Sequence, residues 1–113
     1  MTVKDKVLMK IECIEFGYGG YQDAMFGLSI SLSGSGSGVG DFKGTWGIDT
    51  ECGGSCKWTE KDRDKHFSDT VRFLNKILID AKKKTLSQLK GIPVEVEFEN
   101  NTLKSWRILT EVL

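Results

Sequence analysis

The segment Ser33–Gly47, SGSGSGVGDFKGTWG, sets glycine at 34, 36, 38, 40, 44 and 47 between two stretches that each alternate like a strand. Strands on both sides make the run a hairpin tip. Serine and glycine without large side chains leave amide N–H groups uncovered and allow positive φ, so main chain alone can cradle an anion or a nucleotide phosphate there. Upstream, Phe26, Leu28, Ile30 and Leu32 form one strand face and Gly27, Ser29 and Ser31 the other. So small a second face permits close approach of a ligand, another sheet or a helix.

The same two-residue period opens the chain. Val7, Met9, Ile11 and Cys13 alternate with Lys10 and Glu12, and then Ile14 and Phe16 fall on the opposite parity, which predicts a bulge near Cys13 and Ile14. Gly17-Tyr18-Gly19-Gly20 reads as a turn. After the glycine run, Phe42, Trp46 and Ile48 face away from Lys43, Thr45 and Gly47 in a third strand, followed by a loop from Thr50 to Trp58 that holds Cys52 and Cys56.

Thr59-Glu60-Lys61-Asp62 is a capping box, and Phe67, Val71, Leu74, Leu78 and Ala81 recur behind it at helical spacing with Ile77 beside them. Lys82, Lys83 and Lys84 suit the negative end of that helix. Thr85-Leu86-Ser87-Gln88 starts one short turn that Gly91 and Pro93 end. In the last two strands an Asn100-Asn101 type I′ turn pairs Phe98 with Leu103 and Glu97 with Lys104. Continued without a break, that register sets Arg107 opposite Val94 and Trp106 among Glu95, Glu97 and Glu99.

The order is βββαββ, an α+β class with a mostly antiparallel sheet and one long helix, and residues 1–113 form a single domain. A small barrel of the OB type shares this order and stays open as an alternative. Sixteen basic residues cancel sixteen acidic ones. Neutrality argues against a strongly basic nucleic-acid binder. The N-terminal apolar run is too short and too charged for a signal peptide or a membrane span, and three cysteines, an odd number, fit a reducing compartment.

Recognised phosphate loops are absent. No GxGxxG fits between Gly34 and Gly47, and Lys43-Gly44-Thr45 reverses the lysine and glycine of a Walker motif. What remains is a nest: Gly34, Gly36, Ser37, Gly38, Gly40 and Asp41 as cradle, Lys43 and Arg107 as charge, and Trp106 as the stacking ring. Tyr21 and Asp23 reach the same mouth where the sheet curls. Cys52, Cys56, His66 and Cys13 have a spacing permissive for zinc, yet reduced surface thiols are the simpler reading, so no metal and no cofactor is expected. A single histidine without a serine or cysteine elbow offers no catalytic triad, and the chain reads as a binding protein, not an enzyme.

Three pieces carry a resemblance: Gly20-Tyr21-Gln22-Asp23 after the first strand, the run Gly34–Phe42, and a closing block LKGIPV with LKSWRILTEVL at Leu89–Val94 and Leu103–Leu113. Together they resemble small proteins encoded by bacteriophages and prophages. Ser37 stands where an aromatic often follows the second glycine pair. The resemblance implies host takeover or suppression of bacterial immunity in the host cytoplasm, by one of two mechanisms. The domain either sequesters a nucleotide-derived immune signal or, like an anti-CRISPR, blocks a host defence protein by contact. Single-stranded nucleic-acid binding by an OB-like surface is a third expectation. No membrane partner is expected, and exposed strand edges with Trp106 leave room for a homo-oligomer.

Overall fold

The computed structural model describes residues 4–20, 24–34, 36–47 and 58–113. Along the chain come β1 (Lys4–Gly19), β2 (Met25–Gly34), β3 (Ser37–Trp46), α1 (Glu60–Ala81), a 3₁₀ turn (Leu86–Leu89), β4 (Pro93–Glu99), β5 (Thr102–Ile108) and a last 3₁₀ turn (Thr110–Val112). The α+β class and the βββαββ order are those read from the sequence. All pairings are antiparallel in the order β3-β2-β1-β4-β5. The sheet is open, with β3 and β5 as its edges, so the barrel alternative is not what the strands form.

β1 is shared between two halves of the sheet. Its first part, Lys4–Lys10, pairs with β4, and its second, Lys10–Gly19, pairs with β2. Between Ile11 and Cys13 the register slips by one residue. That bulge, expected from the parity change, keeps Ile11 opposite Leu32 and Ile14 opposite Ile30, so apolar residues on both sides of it face the helix.

Two expectations about turns need correction. β1 runs on through Gly17 and Tyr18 to Gly19, and the turn begins only at Gly20, whose φ is +67°. Gly17 is paired because it opposes Gly27, which opposes Gly44, a glycine row across three strands. A Cβ on Gly27 would lie 2.2 Å from the Lys43 carbonyl oxygen, and one on Gly44 2.3 Å from that of Phe26. β2 and β3 approach here more closely than any side chain permits, whereas a Cβ on Gly17 would meet nothing within 4 Å. Likewise the glycine run is mostly strand: β2 and β3 stay paired out to Gly34 opposite Ser37, with Gly36 at φ +79° in the turn. Alternation resumes at Ser37, one turn earlier than composition suggests, because Val39, Asp41, Lys43 and Thr45 already keep the period of two.

The core lies between one sheet face and α1. Met9, Ile11, Leu28, Ile30, Leu32, Val94, Val96 and Ile108 meet Ile77 and Ala81 of the helix, with Leu89 and Ile92 closing one end. Burial of each aliphatic side chain stabilises the fold by roughly 1.5–3 kcal/mol.

α1 opens with the predicted capping box: Asp62 N–H donates to Thr59 Oγ1 at 3.2 Å, and Thr59 N–H donates to Asp62 Oδ2 at 2.9 Å. Of its predicted apolar line, Ile77 and Ala81 are buried and Leu74 and Leu78 pack against the core, but Val71 is 58% exposed and Arg63 and Thr70 are buried in addition. Polar burial is compensated locally. Thr70 donates to the His66 carbonyl at 2.8 Å, and the Arg63 guanidinium lies 4.5 Å from the Trp58 ring centre and 3.3 Å from Glu60. The helix stops at Ala81 with Lys82 in the left-handed region, so Lys82, Lys83 and Lys84 follow the last turn and do not occupy it. Past them the short turn forms where expected, with Gln88 accepting from Lys84 N–H at 2.9 Å.

The last hairpin has the expected type I′ turn, Asn100 and Asn101 both having positive φ, and Phe98 opposes Leu103. A bulge then intervenes between Glu97 and Phe98. Glu97 opposes Ser105, Val96 opposes Trp106 and Glu95 opposes Arg107, so the unbroken register is overturned. One extra residue moves every later side chain to the other face. Trp106 thereby joins the helix side, and Arg107 joins the acidic outer face.

Candidate functional site

On β2 and β3 the helix-facing positions pair as Leu32 with Val39, Ile30 with Asp41, Leu28 with Lys43 and Phe26 with Thr45. The edge strand therefore turns two charged side chains inward, a device that discourages pairing with other chains. They are met from the far edge. Trp106 Nε1 donates to Asp41 Oδ2 at 2.9 Å, although β3 and β5 are at opposite ends of the strand order. Such a bond requires the sheet to curl until its edges nearly meet. α1 lies over the remaining gap: Phe73 packs edge-on against Trp106, ring centres 5.7 Å apart, and carries the Lys43 ammonium 5.4 Å from its own centre.

Asp41 is the anchor of this seam. Its Oδ1 accepts from Phe42 N–H at 2.9 Å, its Oδ2 takes the indole bond, and Lys43 Nζ approaches the same oxygen at 3.5 Å. Lys43 stands between two cavities. One of about 140 Å³ is lined by Asp41, Leu103, Lys104, Ser105 and Trp106, and the other, of about 320 Å³, by Phe42, Gly44, His66, Asp69 and Thr70. Phe73 and Lys43 border both. A cation flanked by aromatic rings, with a hydroxyl and further basic groups nearby, can hold a planar ligand that bears negative charge.

Of the residues singled out in the sequence, Asp41, Lys43 and Trp106 are brought together. The others are not. Ser37 donates its hydroxyl to the Gly34 carbonyl at 3.2 Å at the hairpin end, and Gly36 lies in the connection itself. Gly38 and Gly40 are strand residues opposite Ser33 and Ser31, on the face away from the helix. Arg107 is on that outer face, bound to Glu95 at 3.3 Å and to both carboxylate oxygens of Glu111 at 2.8 and 2.7 Å. The hydrogen bond from Arg107 is the main reason that the Glu111 carboxyl is held down to about 2. Tyr21, Asp23, Cys52 and Cys56 lie outside the described residues, where the zinc reading also falls. Cys13 is exposed, and desolvation followed by its contact with Glu15 raises its thiol above the ordinary value, which disfavours the thiolate. Among the described residues no group of three or more His, Cys, Asp or Glu side chains is placed to hold a metal ion.

Phe73 and Ser105 line the cleft without having been singled out in the sequence, and His66, weighed there only as a zinc ligand, borders the larger cavity. Phe73 reads as one more apolar helix residue, and only its position over the seam gives it another use. On the other flank of α1 lies an apolar groove of about 300 Å³ lined by Phe16, Tyr18, Phe26, Phe67, Thr70 and Val71. Its rings meet edge to face, Phe26 being 5.1 Å from Phe16, 5.3 Å from Tyr18 and 6.1 Å from Phe67. No described helix is long and apolar enough to cross a membrane. No family model, curated protein or solved structure matches the chain.

Proposed function

We propose that this chain is a bacteriophage-encoded binding protein that counters bacterial immunity in the host cytoplasm by sequestering a nucleotide-derived signal, with no chemistry performed on it. The observation that carries the reading is Lys43 set between two cavities and bordered by the rings of Phe73 and Trp106. A phosphate needs a cation and donors, and a base needs a ring face. The ligand position is the seam between β3, α1 and β5, and the glycine-rich hairpin shapes the edge strand that bears Lys43 instead of wrapping the phosphate itself.

The test is thermal unfolding with cyclic dinucleotides and cyclic ADP-ribose isomers. A bound signal at about 100 times its dissociation constant adds roughly 2.7 kcal/mol of stability. Lys43→Gln removes the effect, and the nucleotide is recovered unaltered after heating. Absence of any shift, together with co-purification of a host effector, transfers the reading to an inhibitor that acts by protein contact.

A second reading is favoured by the β1 strand shared between β2 and β4 and by the outer face of β2 and β3. There Phe42 and Trp46 lie among Ser29, Ser31, Gly40 and Gly44, aromatic groups on a nearly bare surface. Open five-stranded folds of the OB type bind single strands on that face. Salt-dependent binding of an oligonucleotide, lost in Phe42→Ala, separates this from capture of a small molecule.

A further inference from the structure

The Asp41 carboxylate already sits where an anion would meet Lys43. We propose that Asp41 is a built-in competitor for Lys43, so that the seam cleft discriminates in favour of phosphate dianions over carboxylates and other single charges. This rests on the reading of Lys43 as the ligand cation, and it names the ligand group that the site selects.

The two partners are held very differently. Asp41 is fixed by Phe42 N–H on one oxygen and by Trp106 Nε1 on the other, and its side chain is only 18% exposed. Lys43 is 45% exposed on a long flexible stem, and its ammonium touches only one oxygen of that pair, at 3.5 Å. When an anion enters the larger cavity beside Phe42 and His66, Lys43 is the partner free to move. Asp41 keeps both of its other donors, so the exchange leaves no carboxylate oxygen stranded.

Charge then decides the outcome. A carboxylate ligand offers Lys43 the same charge that Asp41 offers, with the added entropy cost of capture, and gains little. Phosphate with two negative charges attracts the ammonium about twice as strongly at equal distance, and although Asp41 repels it twice as strongly too, the mobile ammonium meets it in the larger cavity, closer than the fixed carboxylate does. The remaining charged groups around the cleft are Lys104, 3.2 Å from Glu99, and Asp69, 3.2 Å from Lys65. Both carry a pairing of their own, which leaves the Asp41 and Lys43 couple as the one an entering anion exchanges.

The experiment titrates inorganic phosphate, AMP and acetate into the wild type, Asp41→Asn and Lys43→Gln, followed by calorimetry. Expected are phosphate and AMP binding to the wild type, tighter binding by about two- to fivefold in Asp41→Asn with acetate now admitted, and loss in Lys43→Gln. NMR of the wild type supplies a readout that needs no folded variant: phosphate moves the Lys43 Cε resonance and leaves the Trp106 indole N–H in place. Binding by the wild type with no gain in Asp41→Asn, or an indole signal that moves together with Lys43, overturns the competitor while the proposed function stands. Failure of phosphate and AMP with every protein overturns both.

Discussion

Trp106 and Asp41 are hydrogen-bonded at 2.9 Å across the open seam of the sheet, joining strands that are farthest apart in its order. An indole N–H donating to a carboxylate is a charge-assisted bond, and here it substitutes for the main-chain ladder that β3 and β5 do not make. Trp106→Phe keeps the ring against Phe73 and deletes the donor. The expected loss is about 1–2 kcal/mol in chemical denaturation, since Asp41 retains Phe42 N–H and Lys43. In a cycle with Asp41→Asn the two effects are non-additive, and additivity would mean that the bond does not hold the seam.

Glycines of the hairpin differ sharply in what they do. Gly44→Ala drives a methyl group to 2.3 Å from a carbonyl oxygen and costs about 1–3 kcal/mol, whereas at Gly40 the nearest atom is 3.7 Å away and alanine changes stability by no more than about 0.5 kcal/mol. Thermal melts of the two variants side by side check the contrast. Equal effects would argue against the close approach of β2 and β3.

The clasp between Arg107 and Glu111 has a pH signature. Its carboxyl is held at about 2 against an ordinary 4.5, so the stability it contributes is complete above 4.5 and is lost as pH falls toward 2. An NMR titration of Glu111 in the wild type gives a midpoint near the lower value. In Arg107→Gln the midpoint returns toward the ordinary one, and an unchanged midpoint would show that another group is responsible.

At the start of α1, Thr59→Ala removes the hydroxyl that accepts from Asp62 N–H and costs about 1 kcal/mol by denaturant midpoint. Thr59→Ser retains the acceptor and remains close to the wild type.

Local patterns were legible from residue order alone. Parity before and after Cys13 announced the bulge, Thr59 and Asp62 announced the helix start, and Asn100-Asn101 announced the turn, because each of these depends on residues only a few positions apart. What the sequence by itself determined is the set of elements and which residues of each are apolar. Trp106 shows the limit. Its face depended on one bulged residue of β5, Lys104, which pairing with β4 skips and periodicity does not announce, and its bond to Asp41 spans 65 positions and exists only because the sheet curls. Val71 and Thr70 show the same limit on the helix, where the rotation about the helix axis is set by what the sheet offers underneath. Tertiary structure decided that Lys43 belongs to a cleft and Arg107 to a solvated clasp, since the meeting of distant side chains follows from strand register and sheet curvature, quantities that arise only when all five strands pack against one helix.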